Sequence, residues 1–206
     1  MNEIIKNIWS WSSFSEEKGY NFNGFIVFDG QDKVIIDPVP MSDEDYEQLK
    51  SMAPFKAIYL TNKDHERSSW KIRKDLGVPV WIHKKDKPLL KEEPDEVFQE
   101  GTRLACGIEV LHLPDQKSPG ESAFYIHSRK TLLLGDALIG DPPGKLRLLP
   151  EAKYKDVGRA RAGLTRLRSL GIEALLLGDG EPLLTHPHRH LEQFFMICDK
   201  YPQEKN

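Results

Sequence analysis

The sequence predicts a single α/β domain over residues 1–206, in which mixed β-sheets are covered on the outside by helices. The chain is long enough to bury one complete hydrophobic core. Its predicted elements run in the order hairpins, strand–helix–strand, hairpins, helix–strand–helix, which is typical of a layered domain. No internal repeat, low-complexity tract or linker divides the chain. These three observations together favour one layered domain.

The first half of the chain combines a hairpin with two short helices. Residues 30–32 form a turn signal between two apolar segments, which predicts the hairpin. Ser42 is placed to cap the first helix, and Gly77 is placed to end the second. The predicted strands are residues 24–30, 33–39, 55–61 and 78–83, and the predicted helices are residues 42–52 and 67–77. Residues 84–96 are charged and interrupted by prolines, which predicts a surface loop.

The second half of the chain contains more strands and two longer helices. The predicted strands are residues 107–114, 122–128, 130–140 and 171–180. Residues 151–170 predict one amphipathic helix, with an apolar face made of Val157, Ala160, Leu164, Leu167 and Leu170. Residues 187–201 predict a terminal helix that has Pro187 in its first turn.

Composition and charge exclude several classes of protein. The formal net charge of −3 argues against nucleic-acid binding, and the arginines between residues 159 and 168 are expected to be solvated. The two cysteines cannot form a thiolate zinc site alone. The N-terminal residues do not have the pattern of a signal peptide, and no apolar segment reaches the length of a membrane span. We expect a soluble cytoplasmic protein without a nucleic-acid or membrane partner.

The N-terminal stretch is rich in aromatic residues: Trp9, Trp11, Phe14, Tyr20 and Phe22. We expect these rings to belong to the core or to the wall of a pocket. Rings left exposed would form a homodimer contact or a lid over a site.

Polar side chains follow three of the predicted strands at their carboxyl ends. Residues 61–67, with the sequence Thr-Asn-Lys-Asp-His-Glu-Arg, come directly after an apolar strand. Two later strands both end in Gly-Asp, at Asp136 and Asp179. Since α/β proteins place site residues at the carboxyl ends of strands, the sequence predicts one site formed by these segments.

The same segments resemble those of the metallo-β-lactamase fold superfamily, over nearly the whole chain. The opening hairpin resembles that of the superfamily, with Asp37 as the structural aspartate. Residues 58–69 occupy the place of the motif Thr-His-x-His-x-Asp-His, and residues 112–126 resemble the segment Pro-Gly-His-Thr-Pro-Gly-Ser. Residues 132–138 match the motif of the metal-bridging aspartate, and residues 175–180 occupy the place of the last ligand. It implies a four-layer αββα sandwich, an α+β arrangement of two mixed sheets flanked by helices. It also implies descent from zinc or iron hydrolases.

Five histidines and one aspartate of these motifs are replaced. In chain order, the residues at the former ligand positions are Asn62, Asp64, Glu66, Arg67, Lys117, Asp136 and Asp179. Only Asp136 keeps the identity that the superfamily has, and His65 falls on a spacer position of its motif. Gln116 takes the place of Lys117 if the loop is aligned differently. The resemblance therefore extends to the fold and departs at the metal site.

The replaced residues predict a pocket without zinc. Arginine keeps its proton in proteins and has no acceptor atom, so Arg67 cannot be a ligand, and Lys117 would first have to lose a proton. Converging carboxylates repel one another by roughly 4 kcal/mol per pair at an effective dielectric near 20. Two fixed cations would offset that repulsion. We therefore predict that salt bridges have replaced the metal centre and that no cofactor is bound.

A metal-binding alternative stays open. Asp64, Glu66, Asp136 and Asp179 offer oxygen donors, which suit Mg²⁺, Ca²⁺ or Mn²⁺ better than zinc. In that case the chain would be an active hydrolase of esters, thioesters or lactones that uses a single divalent metal ion.

Catalysis without a metal is the other alternative. His65 is the candidate general acid or base, because the ordinary pKa of histidine is near neutrality. Asp64 and Asp136 are the remaining catalytic candidates. The chain has no nucleophile-elbow motif. The pocket equally suits an unidentified anionic or zwitterionic small molecule that is bound without turnover.

Overall fold

The computed structural model describes the backbone of residues 1–200 and the side chains of residues 1–197. The strands are β1 Asn2–Ile5, β2 Ile8–Ser15, β3 Tyr20–Asp29, β4 Asp32–Ile36, β5 Ala57–Leu60, β6 Val80–His83, β7 Glu96–Phe98, β8 Ile108–His112, β9 Ser122–Ile126, β10 Thr131–Leu134 and β11 Ala174–Leu177. The α-helices are α1 Asp43–Ser51, α2 Ser69–Leu76, α3 Val157–Leu164 and α4 Pro187–Lys200. Tyr201, at the end of the predicted terminal helix, lies outside the described residues. No helix in the described part of the chain is both long and apolar enough to cross a membrane.

The strands form two mixed sheets, which confirms the predicted architecture. The first sheet has seven strands in the order β1 to β7; its neighbours from β1 to β4 are antiparallel and those from β4 to β7 are parallel. The second sheet has the order β11-β10-β9-β8, and β10 and β11 form its parallel pair. Each sheet therefore carries parallel strands, whose carboxyl ends point to one edge.

Three apolar interfaces separate four layers. Between the sheets, buried residues of the first sheet pack against those of the second; they include Phe25, Val27, Ile36, Tyr59, Ile108, Phe124, Leu133 and Leu176. The outer face of the first sheet packs against α1 and α2 through Ile26, Ile35, Ile58, Leu49 and Ile72. The outer face of the second sheet packs against α3 and α4 through Leu132, Leu134, Leu164, Leu191 and Phe194. These faces alternate along each strand, as the side-chain period of two requires.

The local signals of the first half act as predicted. The hairpin closes with Asp29 opposite Asp32. The Ser42 side chain accepts a hydrogen bond from the Asp45 amide and caps α1. Gly77 ends α2 in the left-handed conformation, with φ of 66°.

The single helix predicted over residues 151–170 is wrong. Asp156 caps α3, its side chain accepting from the Arg159 amide, so the helix begins there. A 3-10 helix, Thr165–Ser169, follows α3 directly. At the junction, Thr165 Oγ1 donates to the Ala162 carbonyl oxygen, a local bond that competes with helical pairing. The buried face nevertheless includes Ala160, Leu164 and Leu167, as expected.

Three strands were not predicted from the sequence: the edge strands β1 and β7, and β2, which lies between β1 and β3. The aromatic stretch lies largely on β2 and β3. Trp11 is buried and donates from Nε1 to the Val39 carbonyl oxygen, whereas Phe14 is 62% exposed. Tyr20 and Phe22 line a cleft described below. The expected placement in core and pocket wall therefore fits most of these rings.

Candidate functional site

The site lies at the carboxyl ends of parallel strands from both sheets. β10 and β11 are in register with Leu134 opposite Leu177, so Asp136 and Asp179, two residues farther along, lie side by side. On the first sheet, β5 ends next to Thr61, whose carbonyl oxygen accepts from the Ser122 amide of the second sheet at 2.9 Å. The three segments predicted from the sequence therefore meet at one edge of the sandwich.

A short 3-10 turn, Lys63–His65, directs one side chain into the site. Asn62 caps this turn, since its Oδ1 accepts from the Asp64 amide at 2.9 Å. The imidazole of His65 is consequently turned inward and is only 1% exposed.

His65 occupies the centre of a ring of three carboxylates. Its Nδ1 lies 2.8 Å from Asp37 Oδ2. Its Nε2 lies 3.4 Å from Asp136 Oδ1 and 3.9 Å from Asp179 Oδ1. The motif alignment gave His65 only a spacer position, yet this side chain contacts more of the site than any residue at a former ligand position does.

The surrounding carboxylates hold a proton on His65. Burial and the nearby Arg67 guanidinium both lower the pKa of His65, but Asp37 and Asp136 outweigh them and raise it to about 10. At neutral pH the imidazole is therefore a buried cation that donates from both ring nitrogens. It is not available as a general base there.

Arg67 is the second cation of the site. Its Nη2 donates to Asp179 Oδ1 at 2.8 Å, and its guanidinium stacks on the Phe22 ring with 4.2 Å to the ring centroid. Both Arg67 and Asp37 have positive φ, 21° and 47°. This conformation costs a residue with a side chain about 1–3 kcal/mol, which the surrounding contacts must offset.

Lys117 is the third cation. Its Nζ lies 2.7 Å from Asp136 Oδ2 and 2.9 Å from Asp64 Oδ2. Burial lowers the pKa of Lys117, but the Asp136 carboxylate outweighs this effect and raises the pKa above its ordinary value. We refer to His65, Arg67 and Lys117 together as the cation network.

The two neighbouring carboxylates respond differently to this network. Burial raises the pKa of Asp136, but bonds with His65 and Lys117 lower it well below the ordinary value. Burial also raises the pKa of Asp179, and there His65 and Arg67 only partly oppose the rise. The difference follows from distance: Lys117 and His65 lie 2.7 Å and 3.4 Å from Asp136, whereas Asp179 has Arg67 at 2.8 Å and His65 only at 3.9 Å. Asp179 is therefore the carboxylate that takes up a proton first.

Neither Glu66 nor Asn62 forms a hydrogen bond with the cation network or its carboxylates. Glu66 Oε2 accepts from Trp70 Nε1 at 2.9 Å and from the Lys91 amide at 3.0 Å, on the far side of the turn. The Asn62 side chain is fully buried, and its Nδ2 has no hydrogen-bond partner in the described part of the chain. The structure thus brings together Asp64, Arg67, Lys117, Asp136 and Asp179 around His65, and leaves Glu66 outside.

Asp86 supports the site, a role that was not predicted from the sequence. Its carboxylate accepts from the Lys63 amide at 3.0 Å, from the Gly120 amide at 2.7 Å and from the Ser118 hydroxyl. It therefore ties the turn that carries His65 to the loop that carries Lys117. Its position inside a charged segment expected to be solvated gave no signal of this role.

A cleft of about 330 Å³ opens above the cation network. Among the residues that line it are Tyr20, Phe22, Arg67, Lys117, Asp136 and Asp179. Its volume falls at the lower end of the range of small-molecule sites.

The sequence model of the metallo-beta-lactamase superfamily matches residues 4–197. The chain belongs to the metallo-beta-lactamase superfamily. Among solved structures, a metallo-beta-lactamase from Pontibacter korlensis is similar in fold, with a TM-score of 0.73 and 20% identity over 93% of this chain and 97% of that chain. DIM-1 metallo-beta-lactamase has a TM-score of 0.69 and 20% identity over 93% and 95% of the two chains. TTHA1623, solved in a di-iron-bound form, has a TM-score of 0.66 and 28% identity over 80% and 90%. No curated protein sequence matches the chain.

Members of this superfamily raise the question of whether the residues present fit a metal ion. His65, Asp136 and Asp179 offer ligand atoms that all lie within 4.8 Å of one another. This spacing would allow a metal ion to bind, but the protonated imidazole of His65 has no free lone pair to offer as a ligand. In addition, Lys117 and Arg67 already donate to Asp136 and Asp179. A metal ion at this position would therefore compete with His65, Arg67 and Lys117 for the same carboxylates.

Glu121 lies buried behind the site, and its substitution gives a first prediction. Neither carboxyl oxygen has a hydrogen-bond partner in the described residues, and burial together with Asp136 raises the pKa well above 4.5. The folded protein therefore keeps Glu121 protonated while the unfolded chain ionises it, so stability is lost as the pH rises from 4.5. We expect Glu121→Gln to raise the melting temperature at neutral pH.

The rise in melting temperature caused by Glu121→Gln should become smaller as the pH falls towards 4.5, because Glu121 is then increasingly neutral in the unfolded chain as well as in the folded protein. Thermal unfolding followed by circular dichroism over this pH range measures it. A gain of the same size at every pH would contradict a protonated Glu121.

Proposed function

We propose that this chain is a metal-independent member of its superfamily that binds a small molecule in the cleft above the cation network. In this proposal His65, Arg67 and Lys117 supply the positive charge that bound metal ions would otherwise supply. The cleft is retained as a binding site, and its ligand is held without hydrolysis.

The observation that carries the proposal is that Lys117 and Arg67 pair with the aspartates at two of the former ligand positions. Lys117 Nζ lies 2.7 Å from Asp136, and Arg67 Nη2 lies 2.8 Å from Asp179. A divalent ion beside these carboxylates would have to displace both bonds and would then lie close to two positive charges. Repulsion between the ion and these two cations makes such displacement unfavourable.

The geometry also argues against metal-free catalysis by the predicted residues. His65 holds its proton at neutral pH, because its pKa is raised to about 10. Asp64 is the least buried of the three catalytic candidates. Burial raises its pKa, but hydrogen bonds from Lys63 and Lys117 outweigh this and lower the pKa below the ordinary value. Neither group is therefore suited to take a proton near neutrality.

Metal content tests the proposal. For protein purified without a metal-affinity tag, we expect elemental analysis to find substoichiometric metal, and we expect a chelator to leave the melting temperature unchanged. A variant with both Arg67→His and Lys117→His serves as the comparison, because it replaces two fixed cations with neutral donors. We expect added Zn²⁺ to raise the melting temperature of the variant and not that of the wild type. Stoichiometric metal in the wild type would overturn the proposal.

The second candidate function is a hydrolase that uses one metal ion. It is supported by the spacing of His65, Asp136 and Asp179, and by the di-iron form of TTHA1623, which is 28% identical. It requires Arg67 and Lys117 to turn away from both aspartates. Ester, thioester, lactone and phosphodiester substrates, each supplied with and without Mg²⁺, Mn²⁺ or Zn²⁺, separate the two candidates. Turnover that depends on the metal and is lost in Asp136→Asn would establish the second candidate.

A small molecule is the partner that we propose, and nucleic acid is not. Two arginines of the α3 region are already ion-paired, since Arg159 lies 3.3 Å from Asp115 and Arg166 lies 2.8 Å from Glu100. This pairing supports a solvated face without phosphate contacts. A homodimer and a cytoplasmic location stay predictions from the sequence.

A further inference from the structure

The charges that line the cleft balance one another. The lining side chains include five cations and four anions: Lys18, Arg67, Lys117, Arg147 and Lys153 against Glu17, Asp64, Asp136 and Asp179. Asp141, which lies 2.9 Å from Arg147, supplies a fifth negative charge. Below the cleft, Asp37 matches the charge of His65. A ligand with a net charge would therefore leave one charge uncompensated in a site that is partly shielded from water, and the balance favours a neutral ligand.

The cations of the cleft already lie beside anions. Lys18 lies 2.6 Å from Glu17, and Lys153 also attracts the Glu17 carboxylate. Arg67 is bonded to Asp179 at 2.8 Å. A zwitterionic ligand needs both a free cation and a free anion, so it would have to displace such pairs. A neutral ligand that forms hydrogen bonds to the pairs as they stand displaces none of them.

The pair formed by Lys117 and Asp64 is the most accessible part of the cleft floor. Lys117 Nζ lies 2.9 Å from Asp64 Oδ2, and the two side chains are 26% and 35% exposed. Lys117 has three protons and donates two of them, to Asp64 and Asp136. The Asp64 carboxylate has more lone pairs than its bonds to Lys63 and Lys117 use. The pair therefore presents a donor and an acceptor side by side.

Two adjacent hydroxyl groups on one ring match this arrangement. A hydroxyl group both donates and accepts, so one can donate to Asp64 while its neighbour accepts from Lys117. Both bonds involve a charged group, which makes them stronger than bonds between neutral groups. The cleft wall includes the apolar side chains of Leu149 and Pro150, which suit the C–H face of a ring. The volume of about 330 Å³ suits a single ring.

We propose that the cleft binds a neutral monosaccharide. Two adjacent hydroxyl groups contact the pair formed by Lys117 and Asp64, and the C–H face of the sugar ring packs against Leu149 and Pro150. The sugar is held without cleavage of any bond. This inference rests on the proposed function, because it requires Lys117 to stay paired with Asp64 and Asp136 in place of a metal ion.

Glucose, galactose and mannose are the probes for the first test, and NMR titration of the full-length, isotope-labelled protein measures their dissociation constants. We expect at least one of them to bind and to shift the amide signals around Asp64 and Leu149. The tightest of the three is then compared with its own amino sugar and its own uronate, which keep the ring and add a positive or a negative charge. We expect each charged form to bind at least roughly tenfold more weakly. Equal or tighter binding of a charged form would overturn the proposal.

Asp64→Asn tests the position of the sugar, because it removes one negative charge from the cleft floor. We expect the neutral sugar to bind roughly tenfold more weakly, since a hydrogen bond to a charged group is lost. We also expect the uronate to become the tightest of the three forms. A loss of structure alone would not reverse this preference, and an unchanged preference would overturn the proposal.

Asp32→Asn is the matched control for this variant. The Asp32 side chain is similarly exposed, at 46%, and also pairs with a lysine, Lys56, at 3.4 Å. The substitution makes the same change in net charge, and Asp32 is not among the residues that line the cleft. We expect Asp32→Asn to keep the affinity and the preference of the wild type.

Metal content separates failure of the ligand class from failure of the function. Absence of binding by all three neutral sugars, in protein found free of metal, would overturn the monosaccharide alone. Stoichiometric metal in the wild type would overturn the proposed function.

Discussion

Replacing His65 with leucine is expected to lower the free energy of unfolding by about 3–5 kcal/mol, the cost of removing one partner from a buried ion pair. Leucine has a similar volume, so little of this loss comes from packing. The larger part comes from Asp37 and Asp136, which lose the donors now 2.8 Å and 3.4 Å away. Chemical denaturation of both proteins at neutral pH gives the difference directly.

His127→Leu is the control for this measurement. His127 also pairs with a carboxylate, Glu109, but its side chain is 57% exposed. An exposed ion pair contributes about 0–1 kcal/mol, so we expect a loss of that size. If the two leucine variants lost equal stability, the buried imidazole would not be the charged centre of the site.

The stability of the wild type is expected to fall as the pH rises from 6.5 towards 10. His65 stays protonated in the folded protein up to about pH 10, whereas the unfolded chain loses this proton near pH 6.5. The stability that His65 contributes is therefore fully present below pH 6.5 and is lost above it, at about 1.4 kcal/mol per pH unit. Glu121→Gln is the background for this experiment, because it removes a buried carboxyl group whose raised pKa also makes stability fall as the pH rises.

A second histidine, His83, is expected to make the stability fall as the pH drops below 6.5. Burial lowers the pKa of His83, the stacked His112 ring lowers it further, and the result is about 4. The unfolded chain binds this proton from pH 6.5 downwards, so stability falls as the pH drops from 6.5 to 4. In the Glu121→Gln background, denaturation across the full range should show maximal stability near pH 6.5, and adding His83→Asn should flatten only the acid side. A profile that is flat from pH 6.5 to 10 would contradict a protonated His65.

A layered domain of mixed sheets and helices, and the edge that carries the site, followed from short-range patterns, whereas the four-layer arrangement followed from the resemblance to a known superfamily. Alternating apolar residues mark the strands, and Gly-Asp after β10 and β11 marks the edge where Asp136 and Asp179 meet. Strands β1, β2 and β7 were missed because their apolar patterns are short or interrupted. The edge strands β1 and β7 have four and three residues, and Glu96–Phe98 buries only Phe98. In β2, serines interrupt the apolar residues.

The roles inside the site were harder to predict than its location. The motif placed Glu66 at a ligand position and His65 at a spacer, whereas in the fold His65 points inward and Glu66 bonds to Trp70. A 3-10 turn advances by 120° per residue, so the direction of each side chain depends on where the turn begins. Asn62 sets that start through its cap, and this contact could not be read from residue spacing.

Asp136 and Asp179, which pair with His65 and Arg67, follow strands of the other sheet, so these ion pairs act as a clasp between the two halves of the sandwich. Such a clasp is synthesised with the polypeptide and is complete when the chain has folded. Under the proposed function, we expect the protein to mature without delivery of an ion, even during metal starvation.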